Sequence, residues 1–155
     1  MFELPAAAHP KIAALYAYWQ RITPGPGHLP GRQHMNPADI PSLLPNLWML
    51  DVLEEPRRFR HRLIGTEINR RGFTVKNGEI IEPSPAQPGN PRPLKDLERV
   101  VAERTPVWFR GKPVASRDRF VSEIERLHLP LASNGSDVDV VLSLTVFYER
   151  GNAGA

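Results

Sequence analysis

The chain contains no cysteine among its 155 residues. This absence excludes disulfides, cysteine-ligated zinc, iron–sulfur clusters, catalytic thiolates and flavin photochemistry through a cysteinyl adduct. The sequence also lacks an apolar run of about 18 residues, the length that a membrane-spanning helix needs. Its first residues, "MFELPAAAHP", do not have the basic and apolar pattern of a secretory signal. We therefore expect a cytoplasmic protein.

The charges are nearly balanced, because the sequence has 20 Lys and Arg residues and 17 Asp and Glu residues, which gives a net charge of +3. Such a small excess does not by itself favour a nucleic-acid partner. Six arginines lie close together in the sequence: Arg57, Arg58, Arg60, Arg62, Arg70 and Arg71. No zinc-finger, helix-turn-helix or RNA-binding motif accompanies them. We expect a solvated face with a few ion pairs, and a nucleic-acid-binding module remains an alternative.

Proline is abundant, with 17 residues, which is more than twice its average frequency of about 5%. Five of the prolines fall in one short stretch: Pro83, Pro85, Pro88, Pro91 and Pro93. This stretch predicts an extended loop, because proline disrupts both helices and strands.

The N-terminal part predicts an amphipathic helix that begins at Pro10 and ends before "TPGPG". Its apolar residues recur at helical spacing: Ile12, Leu15, Tyr16, Trp19 and Ile22. After it, "NPADIPSLLP" offers Asn36 as a helix cap with Pro37 just inside, which predicts a short helical turn.

Two strands follow as a predicted hairpin, "LWMLDVLEE" and "RFRHRLI". Side chains alternate between the two faces of a strand. The alternation divides the second strand into two sets: Phe59, His61 and Leu63 toward a core, and Arg58, Arg60 and Arg62 on the opposite face.

The second strand is predicted to end at Gly65-Thr66. Gly65 permits a backbone turn, and Thr66 caps "EINRRGF" as a short helix. If Arg62 is buried at the strand end, it needs a carboxylate partner such as Asp51 or Glu67.

The remaining segments complete an α+β pattern. "PLKDLERVVAER" predicts the longest helix in the middle of the chain. "VWFRGKPVA", "FVSEIERLHLPLAS" and "VDVVLSLTVFYER" predict three strands of an antiparallel meander, with a turn at Asn134-Gly135. We therefore expect a five-stranded antiparallel sheet with the mid-chain helices over one face and the first helix elsewhere.

The length fits one domain. We divide the chain into an N-terminal amphipathic helix and linker at 1–28, a main domain at 29–150 and a flexible tail at 151–155. A single domain of this size has no second output unit, so we expect any signal to pass in trans to a protein partner.

Two segments, "LPGRQHMNPADIPSLLPNLWMLDV" and "RFRHRLIGTEI", resemble a family of short, stand-alone bacterial PAS-like proteins. The matching positions are Pro30 with Arg32, Pro37, Leu43-Leu44-Pro45, and Arg62-Leu63 with Gly65-Thr66. Asn36 stands where the family commonly has Asp, and either residue caps a helix. The resemblance implies the PAS fold and a non-enzymatic sensory or protein-interaction domain. It names no catalytic residue and no ligand, so the cofactor is unknown.

The resemblance also implies a ligand-sized cavity between the sheet and the mid-chain helices, with a lid after Gly65-Thr66. We expect it to be lined by Phe59, His61, Leu63, Trp108, Ser143 and Thr145. The alternative for His61 is a core imidazole with satisfied hydrogen bonds. No metal site is expected, and axial ligation of haem by His61 or His128 is a further alternative that no spacing supports.

His128 lies in "RLHLPL", where alternation puts it opposite the leucines. We therefore expect a surface or interface histidine. An enzyme would need an assembled acid–base or metal group. Alternation puts Glu123 and Glu125 on one face and His128 on the other, so it separates them. A small hydrolase or isomerase with an unrecognised site remains the alternative to a sensor.

The first helix carries an apolar stripe outside the predicted cavity, formed by Tyr16, Trp19 and Ile22. A stripe of this kind covers either another face of its own sheet or a partner's surface. We expect the second outcome, self-association as a homodimer.

Overall fold

Helices and strands follow one another in the order that the sequence predicts. The structure is a computed structural model that describes residues 1–71, 75–81, 92–113 and 120–149. Within these residues the helices are α1 (Pro10–Ile22), α2 (Thr66–Arg70) and α3 (Arg92–Glu103), with 3₁₀ helices at Arg32–His34, Pro37–Asp39 and Pro41–Asn46. The strands are β1 (Leu47–Leu53), β2 (Arg58–Ile64), β3 (Val107–Gly111), β4 (Val121–Leu131) and β5 (Val140–Glu149). Most of the predicted proline-rich loop and all of the predicted tail lie outside the described residues.

The strands form an antiparallel five-stranded sheet in the order β2-β1-β5-β4-β3. β1 and β2 pair as the predicted hairpin, and β3, β4 and β5 form the predicted meander. β1 also pairs with β5, and Trp48 lies opposite Ser143 in this pair. The pairing of β1 with β5 joins the hairpin to the meander. The α+β, PAS-like architecture expected from the sequence is therefore confirmed.

One extra residue in β2 changes which face its side chains reach. The register with β1 shifts at this point, and Arg62 is left between two paired residues, His61 and Leu63. Phe59 packs with residues of α3, as predicted, but Leu63 packs in the cluster on the opposite face. The prediction that Leu63 shares a face with Phe59 and His61 is wrong, because simple alternation does not continue through a bulge.

The sheet is covered on both faces. α1 and the 3₁₀ helix at Pro41–Asn46 cover one face, where they pack with Leu127 and Leu129 of β4. α3 covers the other face with its apolar stripe, which includes the buried Leu97 and Val100. A side chain on either face of the central strands is consequently buried, so alternation along β4 and β5 does not separate core from surface.

α1 packs against its own sheet. Its buried residues are Ile12, Leu15 and Tyr18. Trp19 Nε1 donates a 3.0 Å hydrogen bond to the carbonyl oxygen of Pro130 in β4. Tyr16, Trp19 and Ile22, the predicted self-association stripe, are half-buried at the edge of the same core. The inner side of α1 is thus covered within one chain, and self-association stays a prediction for the half-buried side.

Gly65 is required for a different reason from the predicted one. Its φ is −67°, which any residue adopts. A Cβ at this position would lie 2.4 Å from the carbonyl oxygen of Pro45, so the position needs the close approach that only glycine allows. Gly65 is itself the N-cap of α2, and Thr66 is the first helical residue. The predicted capping role of Thr66 is therefore wrong.

Candidate functional site

Polar and aromatic side chains from four strands form a strip in the layer between the sheet and α3. We call this set the polar strip: Trp48 of β1, His61 of β2, His128 of β4, and Ser143 and Thr145 of β5. The two hydroxyl residues face this layer because they alternate with leucines and a valine that pack toward α1. Both imidazoles and both hydroxyls are buried, and His61 is the most exposed of the four at 7%.

Trp48 is the centre of the polar strip. Its Nε1 donates a 3.0 Å hydrogen bond to Thr145 Oγ1. The His61 ring lies 6.0 Å from the indole between centroids, at an interplanar angle of 32°. The His128 ring lies 5.5 Å away and edge-on, at 79°. Since β2 and β4 lie on opposite sides of β1 in the sheet, the two imidazoles approach Trp48 from opposite directions.

His128 is buried, with 1% of its surface exposed. The prediction of a surface or interface histidine is wrong, because α3 covers the face of β4 that carries it. Its Nδ1 forms a hydrogen bond with Ser143 Oγ, while its Nε2 has no partner among the described residues. Burial, and then the nearby Arg126 guanidinium, hold the pKa of His128 well below the usual range, so the ring is neutral.

His61 is held by its backbone rather than by its ring. Its amide donates a 2.8 Å hydrogen bond to the carbonyl oxygen of Glu79, and its carbonyl accepts one of 2.7 Å from Gly78. The ring Nδ1 is buried without a hydrogen-bond partner among the described residues. Burial lowers the pKa of His61, and the Glu79 carboxylate opposes that shift. The alternative of a fully satisfied core imidazole therefore does not describe this ring.

The structure brings together only part of the predicted ligand set. His61, Ser143 and Thr145 share the polar strip, whereas Phe59 lies farther along β2 in the apolar cluster with α3. Leu63 and Trp108 belong to the cluster on the α1 face. The sequence predicted six residues around one cavity, and the fold distributes them over two sides of the sheet.

Glu125 is a buried carboxylate on the α1 face, and the sequence did not indicate its role. It accepts hydrogen bonds from the His9 amide at 3.0 Å, from Trp108 Nε1 at 2.9 Å and from the Tyr148 hydroxyl at 2.7 Å. Burial, and then the bond to Glu125, raise the pKa of Tyr148 to about 12. Strand alternation could have predicted the burial of Glu125, because it puts this residue on the same face as the β4 leucines. These bonds fasten the start of α1 and strand β3 to the sheet.

The residues considered for catalysis are not assembled. Glu125 lies on the α1 face and His128 on the α3 face, the separation that alternation predicts. Glu123 is half-exposed and pairs with Arg110 at 3.1 Å. Within the described ranges, no three His, Cys, Asp or Glu side chains form a group that could hold a metal ion.

The clustered arginines are mostly paired. The ion pairs are Arg57 with Glu54 and Glu98, Arg60 and Arg62 with Asp51, Arg70 with Glu67, and Arg71 with Glu149. Arg62 therefore has one of its two predicted partners, although its side chain is exposed rather than buried. Arg32 of the family motif begins a 3₁₀ helix and is exposed. The predicted solvated face with ion pairs is confirmed for the exposed arginines, but not for Arg71, whose side chain is 4% exposed.

A family model for the PAS domain matches residues 7–146. The match spans most of the chain and includes α1, so the chain belongs to the PAS domain family. No curated protein and no solved structure matches it. Membership defines its class as a sensory or regulatory domain. In the part of the chain that the structure describes, no helix has the length and apolar character needed to cross a membrane.

Proposed function

We propose that this PAS domain is a non-enzymatic sensor that binds a small molecule along the polar strip and reports the bound state to a protein partner. The observation that carries the proposal is the pair of buried ring nitrogens, His61 Nδ1 and His128 Nε2. A buried polar atom without a partner costs about 1–3 kcal/mol. A ligand that bonds to these atoms recovers this free energy, whereas an apolar core residue in either position would avoid the cost altogether.

The chemistry of the polar strip favours an uncharged ligand. Burial keeps both imidazoles neutral, so each presents either a donor or an acceptor at its open nitrogen. Trp48 supplies an apolar face between them, and its own N–H is already bonded to Thr145. A small, flat molecule with hydrogen-bonding groups at its ends matches this pattern.

The signal follows from the position of the polar strip beneath α3. A ligand that binds the folded chain stabilises it by mass action, by about 2.7 kcal/mol at 100 times its Kd. A bound state that repositions α3 changes the surface that a partner meets. We propose that the partner is a separate protein, that the chain works in the cytoplasm, and that a homodimer through Tyr16, Trp19 and Ile22 is its working form.

The test is a thermal-shift screen of a metabolite library against the full chain and three variants. His61→Phe and His128→Phe each remove one open nitrogen, and His28→Phe is the control because His28 is exposed in a loop. We expect hits that raise the Tm of the wild type and of His28→Phe, by roughly 5–10 °C at 100 times Kd. The same hits should act weakly on the two strip variants.

The screen also has a result that rejects the proposal. Hits that stabilise all four proteins equally, with circular dichroism confirming that each is folded, would mean that the imidazoles do not contact the ligand. No hit on the wild type would favour a ligand-free interaction module. An intrinsic hydrolase or isomerase rate lost on Glu123→Ala or His128→Ala would favour the enzyme alternative.

A further inference from the structure

A pocket of about 400 Å³ lies between β2 and α3. Its apolar lining comes from Phe59, Ile80, Ile81 and Leu94. Its charged lining comes from Arg57, Arg58 and Glu98. None of the five residues of the polar strip lines it, so it is a separate site that does not depend on the function proposed above. We call it the β2–α3 pocket.

The apolar part of the β2–α3 pocket is fixed by the backbone. Phe59 is 1% exposed and packs in the core that α3 covers. The Ile81 amide donates a 2.8 Å hydrogen bond to the Phe59 carbonyl oxygen, and Ile80 bridges to Arg60 of β2. Leu94 contributes the wall on α3. A preformed apolar surface of this kind binds an aliphatic or aromatic group without first having to be ordered.

The charged rim carries one cation without a carboxylate. Arg57 pairs with Glu54 at 3.1 Å and with Glu98 at 3.3 Å, so Arg57 and Glu98 neutralise each other across the rim. Arg58 Nε donates to the carbonyl oxygen of Pro56 at 3.3 Å. Among the described residues no acidic side chain lies within ion-pair distance of Arg58. Within this described part of the chain its terminal nitrogens form no ion pair, and Arg58 lines the same pocket as the apolar residues.

We infer that the β2–α3 pocket binds a small amphipathic carboxylate. The carbon chain of the ligand packs on Ile80, Ile81 and Leu94 above the buried Phe59, and its carboxylate accepts hydrogen bonds from Arg58. A guanidinium is suited to this headgroup, because its planar fork matches the two oxygens of a carboxylate. A volume of about 400 Å³ fits a chain or ring of several carbons.

The probe is hexanoate, titrated into the uniformly ¹⁵N-labelled full chain and followed by amide chemical shifts. We expect saturable shifts at Phe59, Ile81 and Leu94. Hexanol tests whether the carboxylate is needed, and hexylammonium tests whether the headgroup must be negatively charged. Acetate tests whether the hydrocarbon chain of the ligand is needed. Each of the three should bind at least about fivefold more weakly than hexanoate, because each lacks either the anion or the apolar contact.

The decisive variant is Arg58→Gln, which we expect to weaken hexanoate binding by roughly five- to tenfold. Arg58 is exposed, so this variant does not threaten folding. The matched control is Arg62→Gln on the same strand, whose side chain pairs with Asp51 instead and which should bind as wild type does. Arg58→Lys should retain part of the affinity, because it keeps the charge and loses the fork.

Three results would overturn the inference. Hexanoate that binds equally to wild type and Arg58→Gln removes Arg58 from the site. If hexylammonium binds more tightly than hexanoate, the headgroup of the ligand contacts Glu98 rather than Arg58. Shifts centred on Trp48 and His128 would direct the ligand to the polar strip and not to this pocket. Conversely, a failed metabolite screen on the histidine variants leaves the hexanoate result intact, so the two proposals fail separately.

Discussion

His128 meets the edge of Trp48 with ring centroids 5.5 Å apart, and its Nδ1 bonds to Ser143 on the neighbouring strand. Two strands and one buried hydrogen bond therefore fix the imidazole, and its buried Nε2 has no partner among the described residues. The ring is positioned before any ligand arrives. Preorganisation of this kind lowers the entropic cost of binding.

The same burial makes stability depend on pH. The pKa values of His61 and His128 are lowered from 6.5 by burial, so the unfolded chain takes up protons at these rings before the folded chain does. The contribution of these two rings to the free energy of unfolding is consequently full above about pH 6.5. It is lost as the pH falls through their lower pKa values in the folded chain. We expect the free energy of unfolding in urea to decrease steadily from about pH 7 to about pH 5.

The control for this pH dependence is His128→Phe, which has no ring to protonate in either state. Its free energy of unfolding should depend less steeply on pH over the same range. A wild-type free energy that is constant or rises on acidification would contradict the assignment of neutral, buried imidazoles.

Glu125 should contribute more to stability than any exposed carboxylate. Glu125→Ala leaves the His9 amide, the Trp108 indole N–H and the Tyr148 hydroxyl without their acceptor, and we expect a loss of about 3 kcal/mol in the free energy of unfolding. Glu123→Ala, which removes only a surface ion pair, should cost less than about 0.5 kcal/mol. Urea unfolding measures the free energy of unfolding of both variants. Equal losses would show that the buried hydrogen bonds of Glu125 make no net contribution to stability.

Several features of this fold were predictable because local pattern determines them. α1 begins at Pro10 as predicted, and the turn at Asn134-Gly135 has its glycine at a φ of 81°. The bulge at Arg62 was not predictable, because no turn residue marks it and it depends on pairing with β1. The bulge places Leu63 on the α1 face of the sheet, opposite the face of the predicted cavity.

The burial of His128 depended on tertiary structure rather than on local pattern. Alternation correctly separated His128 from the β4 leucines, but it could not show that helices bury the second face of the sheet as well as the first. The same limit applies to Glu125, whose partners come from α1, β3 and β5. Long-range contacts of this kind leave no spacing signal in the chain.

Gly65 provides a test of close packing between α2 and the preceding 3₁₀ helix. Gly65→Ala places a Cβ 2.4 Å from the Pro45 carbonyl oxygen, and we expect a loss of about 1–3 kcal/mol in the free energy of unfolding. Gly25→Ala is the matched control, since a Cβ at Gly25 meets no atom within 4 Å. If both variants melt at the same temperature, the close approach at Gly65 is not a constraint.

Self-association remains a prediction for the half-buried side of α1. Tyr16 stacks on Trp19 with centroids 6.0 Å apart, so these rings form an aromatic surface at the edge of the core. We expect sedimentation equilibrium to detect a dimer that Tyr16→Arg weakens at least about tenfold, because it introduces a charge into an apolar contact. Ala13→Arg, on the exposed side of α1, is the control. A wild-type chain that is monomeric at high concentration would contradict the prediction.

The proposed function requires a small molecule to contact the open nitrogens of the polar strip. Ring ¹⁵N spectra of the five histidines test this contact directly, because the exposed His28 and His34 serve as internal controls in the same sample. We expect a stabilising metabolite to move the ring signals of His61 and His128 and to leave those of His28 and His34 unchanged. Ring signals of His61 and His128 that stay fixed at saturating ligand would contradict the claim.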